Sequence, residues 1–319
     1  MRISIAMATF NGARFIAEQL DSFAAQTRLP DELVISDDSS NDDTVSIAEA
    51  FATTAPFPVR IFRNDTNLGF NRNFARALSH CSGQLLLISD QDDIWYPEKI
   101  LEIERCLTDR PDTLTLIHDE HLADGNGNIL TETFLGNVRK VGYPDRYYVV
   151  GNCTALRRDV LELLLPFPDE VNYDVWIALL TDLLRVRYVL EKPLQLYRRH
   201  GNNATEPELA HSKPTVWKLA IAYGRKDARV GWAKQQALLM NAHHRISEWN
   251  HLIDVITEPG RADAALARIN CEVGQLRERA QVASLPRWRR WRTVLSLWAS
   301  GFYGSFAGWK SAAKDLVRP

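Results

Sequence analysis

Apolar segments of strand length alternate with amphipathic segments of helical spacing through roughly the first 120 residues. The apolar segments are 2–10, 32–38, 59–65 and 84–90. Strands that are apolar on both faces and are separated by helices are typical of a parallel sheet covered by helices on both sides. The pattern predicts a doubly wound α/β domain, in which ligands bind near the carboxyl ends of the strands.

The remainder of the chain has a different pattern. Residues 113–201 are less regular, with extended segments and one Gly/Asn-rich turn. From residue 215 onward the spacing is helical, and a helix is expected from Ala262 to Ala283. We therefore predict an α/β domain of residues 1–214 and a helical region of residues 215–319.

Composition and charge narrow the class of protein. The 319 residues carry a formal net charge of −2 and have a pI of about 6.5. A protein that binds nucleic acid through a positive field would be basic, so we expect no nucleic acid partner. The four cysteines are widely separated and lack metal-ligand spacing, which favours a reduced protein in the cytoplasm. We expect no secretory signal, and no apolar run reaches the ~18–20 residues of a membrane span.

Three carboxylates follow the apolar run that ends at Ser89. Asp90 and Asp92 are two residues apart, so in an extended chain their side chains lie on one face and repel each other. A divalent cation such as Mg²⁺ or Mn²⁺ would remove that repulsion and keep coordination positions open for phosphate oxygens. Asp93 is either a third ligand or a residue that orients the other two. The alternative is that Asp93 only caps a helix that starts near Pro97.

The second predicted strand also ends in carboxylates. Asp37 and Asp38 lie at its carboxyl end, where acceptor groups can contact the donor groups of a nucleobase. For residues 42–44 we favour helix capping, because Asp and Thr are preferred at helix starts. At the end of the first strand, Asn11 and Gly12 permit a tight turn close to a ligand.

Four motifs occur in order, each directly after a predicted strand. They are TFNG at 9–12, DDSSNDDT at 37–44, NLGFNRN at 67–73 and SDQDD at 89–93. This set resembles the bacterial family 2 glycosyltransferases, which have the GT-A fold. Later segments resemble the rhamnosyltransferase-like branch of that family; they are GNCTALRRDVL at 151–161, YDVWIAL at 173–179 and YRRHGNN at 197–203. The resemblance covers residues 2–205 and leaves the C-terminal third without a motif.

The resemblance implies a fold and a division of the chain. The expected fold is GT-A, a Rossmann-like, doubly wound α/β fold with a mixed sheet, followed by a C-terminal α-helical appendage. Within the catalytic domain 1–214, about 1–120 would bind the nucleotide and about 121–214 the acceptor. The helical region 215–319 has no motif of the family, and its composition, not the resemblance, suggests contact with a membrane surface or another subunit.

Residue roles in binding a nucleoside diphosphate sugar also follow from the resemblance. Asp38, helped by Asp37, would contact uracil or thymine. Further nucleotide contacts are implied for Thr9, Phe10, Asn11, Asn67, Arg72 and Asp90. Arg72 equally fits a charge on the surface of a helix.

For the metal, the resemblance implies a site that takes Mn²⁺ or Mg²⁺. Asp92 would be the main ligand, Asp90 would lie near both the ribose and the metal, and His200 would complete the coordination. An imidazole among oxygen ligands suits Mn²⁺ as well as Mg²⁺.

An inverting transferase needs a carboxylate that accepts the proton of the acceptor hydroxyl. The resemblance assigns this role to Asp174, which follows Tyr173 where many family members have Glu. The alternative is that Asp174 only caps a helix. Residues implied to line the acceptor or donor-sugar cleft are Asp93, Gly151, Asn152 and Trp176. Trp176 equally fits a position in the core.

The implied activity is metal-dependent, inverting transfer of a sugar from a UDP- or dTDP-linked donor to a saccharide or lipid-linked acceptor in cell-surface polysaccharide synthesis. A nucleotidyltransferase would have a Gly-rich, Arg-containing loop after the first strand, and this chain has ATFNGARF there. A phosphatase would have its Asp nucleophile at the position of Thr9. The non-enzymatic alternative is a catalytically inactive protein that binds sugar nucleotides or acts as an assembly scaffold.

Residues 287–319 differ from the rest of the chain in charge and aromatic content. They contain five Arg, two Lys and one Asp, together with four of the nine tryptophans. Basic residues and Trp on an amphipathic helix suit an anionic membrane, which would hold a cytoplasmic protein on the inner face of the cytoplasmic membrane. The alternative is a helix that packs on the catalytic domain or on another subunit of a homo-oligomer. The glycines in 301–308 favour an interruption of this helix.

Overall fold

The computed structural model describes residues 1–124, 128–130, 133–140, 145–198, 228–305 and 308–317. The chain forms two compact units. The first consists of Met1–Ala210 and Val255–Thr257, and the second of His211–Asp254 and Glu258–Pro319.

The first unit is built on a mixed β-sheet, which has eight strands in the described part of the chain. They are β1 (Ile3–Thr9), β2 (Glu32–Asp37), β3 (Val59–Arg63), β4 (Leu85–Ser89), β5 (Ile94–Trp95), β6 (Thr115–Ala123), β7 (Thr154–Arg157) and β8 (Arg187–Arg198). Their order across the sheet is β3-β2-β1-β4-β7-β6-β8-β5. Strands β1 to β4 are parallel to one another, as are β6 and β8. Strand β7 is antiparallel to β4 and β6, and β5 is antiparallel to β8.

Helices alternate with the first four strands, as the hydrophobic pattern predicted. The helices of this unit are α1 (Ile16–Ala24), α2 (Thr44–Ala52), α3 (Phe70–His80), α4 (Lys99–Thr108), α5 (Phe134–Lys140), α6 (Leu161–Leu164) and α7 (Tyr173–Leu183). In α3 the buried residues are Asn73, Phe74, Ala77 and Leu78. This spacing places one side of the helix against the sheet. The prediction of an α/β fold with a mixed sheet is confirmed.

Strand β1 lies at the centre of the apolar core. Its alternate residues Ile3, Ile5 and Met7 are fully buried and share one cluster with Leu20 and Phe23 of α1. Burying a side chain of this size stabilises the fold by roughly 1.5–3 kcal/mol. The position of β1, and with it the position of the loop that follows, is therefore fixed by the core.

The loops after three neighbouring strands meet at one edge of the sheet. Thr9 of β1 pairs with Asp37 of β2, and Met7 pairs with Ser89 of β4. Because the three strands are parallel and in this register, their carboxyl ends lie side by side. This is the edge at which the sequence predicted a ligand site.

From residue 228 the described chain is helical. Its helices are α8 (Ala228–Glu248), α9 (Asn250–Ile256), α10 (Arg261–Ser284), α11 (Arg287–Ala299) and α12 (Trp309–Val317), with a 3₁₀ turn at Phe302–Ser305. Helix α10 begins and ends within one residue of the predicted helix 262–283. The break between α11 and α12 confirms the interruption predicted from the glycines.

A small core holds the last helices of the chain together. It contains Val282, Val294, Tyr303 and Ala312. Arg279 donates two hydrogen bonds of 2.9 and 2.7 Å to the buried carboxylate of Asp315, and the hydroxyl of Tyr303 donates a third of 3.2 Å. Among the helices that the structure describes, none combines the length and the apolar character that crossing a membrane requires.

Candidate functional site

A cleft of about 390 Å³ opens where the loops after β1, β2 and β4 meet. It is lined by Ala8, Thr9, Phe10, Asp38, Asn67, Gly69, Phe70, Asn73, Phe74, Asp90, Gln91, Asp92 and Tyr197. Six of these were predicted to contact a nucleotide or a metal: Thr9, Phe10, Asp38, Asn67, Asp90 and Asp92. The fold thus brings together strand-end residues that are far apart in the sequence.

The turn after β1 is joined to the acidic segment by one glutamine that the sequence analysis did not single out. The N–H of Phe10 donates to Oε1 of Gln91 (2.9 Å), and Nε2 of Gln91 donates to the carbonyl of Phe10 (3.0 Å). Asn11 has φ 48°, in the left-handed region that Asn tolerates, and its N–H donates to Oγ of Ser40. A Cβ at Gly12 would lie within 3.0 Å of the Gln91 amide. The predicted tight turn is present, and Gly12 leaves room beside it for the Gln91 side chain.

The carboxylate of Asp37 lies beneath the cleft. It is fully buried. Its oxygens accept hydrogen bonds from the hydroxyl of Thr9 (2.9 Å), the hydroxyl of Ser40 (2.5 Å) and the N–H of Ser40 (2.9 Å). Asp37 therefore fixes the ends of β1 and β2.

The carboxylate of Asp38 lines the cleft and holds the loop before α3. Its Oδ1 accepts hydrogen bonds from Nδ2 of Asn64 (2.7 Å) and from the N–H of Leu68 (2.7 Å). Its Oδ2 accepts a hydrogen bond from the N–H of Gly69 (2.9 Å). Among the described residues, Gly69 is the single donor to Oδ2. Nδ2 of Asn67 donates to the carbonyl of Asp38 (3.4 Å). Asn67 is thus positioned at the cleft by Asp38.

The three carboxylates after β4 form a compact cluster. One oxygen from each of Asp90, Asp92 and Asp93 lies within 4.8 Å of the others. Asp90 and Asp92 are half-buried at the cleft, whereas Asp93 is 1% exposed. Burial, followed by the charge of Asp92, raises the pKa of Asp90 to about 8. Burial also raises the pKa of Asp93 well above its usual range. These shifts reflect negative charges crowded where little water remains.

Asp93 does not cap the helix that follows it. Helix α4 begins at Lys99, and the residue before it, Glu98, makes no side-chain cap. Oδ2 of Asp93 instead accepts hydrogen bonds from Nδ2 of Asn152 (2.5 Å) and Nε2 of Gln195 (3.3 Å). The capping alternative for Asp93 is wrong, and its carboxylate belongs to the buried side of the cluster.

The cluster offers ligands that fit a divalent cation. Carboxylate oxygens are the groups that Mg²⁺ and Mn²⁺ prefer. Oδ1 of Asp93 is buried and has no hydrogen-bond partner among the residues that the structure describes. An acceptor buried in this way is costly, and a cation would satisfy it. His200, predicted to complete the coordination, lies outside the described residues.

Behind the cluster lies a buried polar network that the sequence analysis also missed. Nζ of Lys99 donates to Oε1 of Gln195 (2.6 Å) and to the carbonyl of Asn152 (3.3 Å), and it lies 3.6 Å from the ring centroid of Trp95. Nε2 of Gln195 donates to Oε2 of Glu120 (2.9 Å). Burial lowers the pKa of Lys99 to about 7 and raises that of Glu120 to about 7. No local signal marked this network, because Lys99 begins a helix, and Glu120 and Gln195 lie in strands of mixed polar and apolar residues.

Asp174 lies in the first turn of α7 and is half-buried. Its Oδ1 accepts the N–H of the next residue, Val175 (2.8 Å). The N-cap of α7 is Asn172, and no side chain makes a cap hydrogen bond there, so Asp174 does not cap the helix. Burial raises the pKa of Asp174. Its charge also contributes to the raised pKa of Asp90. Asp174 therefore interacts electrostatically with the acidic cluster.

The start of α7 is anchored by Asn71, a residue of the NLGFNRN motif. Oδ1 of Asn71 accepts the N–H of Tyr173 (2.9 Å), and Nδ2 of Asn71 donates to the carbonyl of Val171 (2.8 Å). Tyr173 packs tightly on Gly151, because a Cβ at residue 151 would approach the tyrosine hydroxyl to under 3.0 Å. Gly151 and Asn152 are both buried in a 3₁₀ turn.

The described residues that were predicted for the site but do not line the cleft are Asn11, Asp37, Arg72, Asp93, Gly151, Asn152, Asp174 and Trp176. Trp176 is 1% exposed, and its indole N–H donates to the carbonyl of Leu164 (3.1 Å), so it occupies a core position. Arg72 forms an exposed ion pair of 2.7 Å with Asp169. Of the two interpretations considered for each residue, the structure favours the core for Trp176 and the helix surface for Arg72.

Comparisons with known proteins identify relatives of the chain. The model of the family described as glycosyl transferase family 2 matches residues 4–165. An uncharacterized glycosyltransferase of Nostoc sp. is 27% identical over 283 residues, which cover 78% of this chain and 85% of that protein. The dTDP-rhamnosyl transferase RfbG of Shigella flexneri is 29% identical over 212 residues, which cover 62% of this chain and 72% of that protein.

Solved structures share the fold. TarS of S. aureus in complex with UDP has a TM-score of 0.53 and 17% identity, covering 88% of this chain and 91% of that chain. The mannosyltransferase PcManGT of Pyrobaculum calidifontis, in complex with GDP-Man and Mn²⁺, has a TM-score of 0.50 and 16% identity, covering 99% and 85%. These neighbours are GT-A proteins, so the predicted GT-A fold is confirmed.

Proposed function

The chain belongs to glycosyl transferase family 2, and we propose that it is an inverting, metal-dependent enzyme. It moves a sugar from a nucleoside diphosphate to a hydroxyl of a saccharide or lipid-linked acceptor in cell-surface polysaccharide synthesis. The observation that carries the proposal is that Asp90 and Asp92 line the same cleft as Thr9 and Asp38. A cleft of about 390 Å³ lies within the roughly 300–1,000 Å³ of small-molecule sites.

The acidic cluster holds a divalent cation in this proposal. Asp92 and Asp90 are the ligands on the cleft side, Asp93 is the buried ligand and His200 is a further ligand. When bound, Mn²⁺ or Mg²⁺ neutralises diphosphate oxygens and stabilises the leaving group. The crowding of the three carboxylates supports this assignment, and so does the Mn²⁺ in the complex of the Pyrobaculum mannosyltransferase.

Asp38 contacts the base of the donor in this proposal. Its Oδ2 accepts a single hydrogen bond among the described residues, so a lone pair remains for the ring N–H of uracil or thymine. Thr9 and Phe10 line the same cleft beside it, and Asp37 holds the end of β1 in place. A dTDP-linked donor is supported by the name of the Shigella relative, and a UDP-linked donor by the TarS complex.

Asp174 is the general base in this proposal. The oxygen of the acceptor hydroxyl forms a bond to the anomeric carbon while the bond from that carbon to the diphosphate breaks. The hydroxyl proton passes to the carboxylate of Asp174, and attack from the face opposite the diphosphate inverts the anomeric centre. Burial raises the pKa of Asp174, which makes its carboxylate a stronger base than an exposed Asp.

Residues 287–319 form a peripheral contact with an anionic membrane in this proposal. Four side chains on α11 are exposed to 68%, 50%, 58% and 47%: Trp288, Trp291, Leu295 and Trp298. Their spacing of three and four residues places them on one face. Helix α11 also carries exposed arginines and no acidic residue. Trp and Arg together suit the headgroup layer, which would hold the enzyme near a lipid-linked acceptor.

Sedimentation with vesicles tests this contact against the oligomer alternative. Vesicles that contain anionic lipid should sediment the full-length protein, and replacing Trp288, Trp291 and Trp298 by Ser should abolish the effect. Neutral vesicles are the control. If the wild type and the variant sediment equally, the membrane contact is contradicted. If the wild type is a dimer in solution and the variant is not, the homo-oligomer alternative is favoured.

A thermal-shift screen of nucleotide sugars, with and without Mn²⁺ or Mg²⁺, tests the donor and metal sites. We expect one UDP- or dTDP-linked sugar to raise the melting temperature only when metal is present. Asp92→Ala should remove this shift, because it deletes a ligand. Equal shifts with and without metal would count against the proposed site.

Donor hydrolysis separates the enzyme from the inactive sugar-nucleotide binder or scaffold. The enzyme should release nucleoside diphosphate slowly from its donor even without an acceptor, and faster with one. The inactive binder would be stabilised by the donor but would release none. Released UDP or dTDP is measured directly, so the two functions give opposite results.

A further inference from the structure

The buried network behind the acidic cluster has one orientation that satisfies its hydrogen bonds. The side chain of Lys99 offers N–H donors in both of its protonation states, three of them as an ammonium group. Because Nζ of Lys99 lies 2.6 Å from Oε1 of Gln195, the amide of Gln195 must keep its oxygen toward Lys99. The carbonyl of Asn152, 3.3 Å from Nζ, is the second acceptor. Lys99 therefore decides which end of the Gln195 amide faces the carboxylates.

The NH₂ end of Gln195 consequently faces two carboxylates. It donates to Oε2 of Glu120 (2.9 Å) and to Oδ2 of Asp93 (3.3 Å). Nδ2 of Asn152 donates to the same oxygen of Asp93 (2.5 Å). Oδ2 of Asp93 is thus occupied by two donors, while within the described structure Oδ1 has none. A flipped Gln195 would instead turn its oxygen toward both carboxylates.

Resting on the metal site proposed above, we infer that Lys99 is a positioning residue for the divalent cation. By fixing the amide of Gln195, Lys99 keeps Oδ2 of Asp93 hydrogen-bonded and leaves Oδ1 as the ligand atom. Lys99 itself touches neither the cation nor the donor. Lys99, Gln195 and Asn152 are 1%, 0% and 3% exposed, so water cannot replace a missing donor in this network.

Substitution of Lys99 should weaken metal binding although the residue is not a ligand. Lys99→Met has a similar volume and no donor, so it leaves Oε1 of Gln195 unpaired and lets the amide rotate. Partners that orient metal ligands typically contribute 10–100-fold to metal affinity. We expect Lys99→Met and Gln195→Met each to weaken Mn²⁺ binding by about 10- to 100-fold. The double variant should bind Mn²⁺ no more weakly than the single variant with the lower affinity, because both residues act through Asp93.

Mn²⁺ binding to the full-length protein is measured by electron paramagnetic resonance, with and without UDP. Lys192→Met is the matched control, because Lys192 is a surface lysine that pairs with Glu102, and it should bind like the wild type. Lys99→Arg keeps a group that only donates and should recover part of the affinity. Circular dichroism checks the fold of each variant.

The outcomes separate this inference from the proposed function. If the wild type does not bind Mn²⁺, both are overturned. If the wild type binds Mn²⁺ and Lys99→Met binds it equally well, only the role of Lys99 is overturned. Additive losses of Mn²⁺ affinity in the double variant would also overturn that role alone. If Lys99→Met does not fold, Gln195→Met decides, since an unchanged Mn²⁺ affinity in that variant would overturn the inference.

Discussion

Replacing Gly12 with Ala tests the turn that joins β1 to the acidic cluster. An alanine Cβ at residue 12 would lie within 3.0 Å of three side-chain atoms of Gln91. Because these atoms are the end of a flexible side chain, the protein should respond by moving Gln91 and keeping its backbone. That movement breaks both hydrogen bonds between Gln91 and the backbone of Phe10.

The expected cost follows from these two hydrogen bonds. A net hydrogen bond contributes roughly 0.5–1.5 kcal/mol. Both bonds are exposed to solvent, so water replaces part of what is lost and we expect Gly12→Ala to lower the free energy of unfolding by about 1–2 kcal/mol. Gln91 also lines the cleft between Asp90 and Asp92. Its displaced side chain should enter the cleft and weaken binding of the nucleotide.

Urea unfolding and calorimetric titration with UDP and Mn²⁺ measure the two effects. Gln91→Ala is the matched variant, because it removes the same hydrogen bonds without a steric conflict. In the double variant the alanine at residue 12 meets no glutamine, so its stability should equal that of Gln91→Ala and its nucleotide affinity should exceed that of Gly12→Ala. The reasoning is refuted if Gly12→Ala keeps the stability and the nucleotide affinity of the wild type. It is also refuted if the losses of stability from the two substitutions add up in the double variant.

Three further substitutions test the chemistry and the C-terminal core. Asp174→Asn should lower turnover by about 10²–10⁴-fold with donor binding retained, because a general base acts in the transition state; turnover assays and calorimetry measure the two quantities, and an active variant would exclude this base. Burial raises the pKa of Asp90 to about 8, so between about pH 4 and pH 8 the folded carboxyl keeps a proton that the unfolded chain releases. Stability of the metal-free protein should therefore fall as the pH rises through this window, and the fall in melting temperature should be smaller in Asp90→Asn; equal falls would contradict the shift. Arg279→Met should destabilise the protein by about 3–5 kcal/mol, because it removes the cation that pairs with the buried carboxylate of Asp315. Adding Asp315→Leu should recover most of that loss in denaturant unfolding, and no recovery would contradict the ion-pair argument.

The position of the cleft could be predicted because it depends on a regular property of the fold. Parallel strands end at one edge of a sheet, so polar residues directly after apolar segments converge there. Asp38, Asp90 and Asp92 were found by this rule and line one cleft. The bounds of α10 could likewise be predicted, because the apolar spacing and the flanking prolines are local features of the sequence.

Other parts of the site depend on contacts between distant segments and have no local signal. A lysine at a helix start is usually solvated, and only the folded chain shows that Lys99 turns inward to meet Gln195. Trp176 and Arg72 each allowed two interpretations, because the local pattern is the same for both. Contacts in the folded chain distinguish the interpretations: the indole of Trp176 donates to a buried carbonyl, and Arg72 forms an ion pair with Asp169. The short strand β5 also depends on a distant partner, since it pairs with β8.

The carboxylates of the site differ in how many hydrogen-bond donors the fold supplies to each oxygen. A carboxylate has about four lone-pair sites. Asp37 receives donors at both oxygens, and it is fully buried beneath the cleft. Asp38, which lines the cleft, also receives donors at both oxygens, but among the described residues Oδ2 receives only one.

Asp93 is the extreme case, with two donors at one oxygen and, among the described residues, none at the other. Its remaining capacity is buried, so bulk water cannot satisfy it. An acidic loop that is merely solvated would show the opposite arrangement, with exposed carboxylates hydrated on both oxygens. The number of acidic residues is therefore less informative than the distribution of donors around them. That distribution separates Asp37, which stabilises the strand ends, from Asp38 and Asp93, to which we assign contacts with a nucleobase N–H and with a cation.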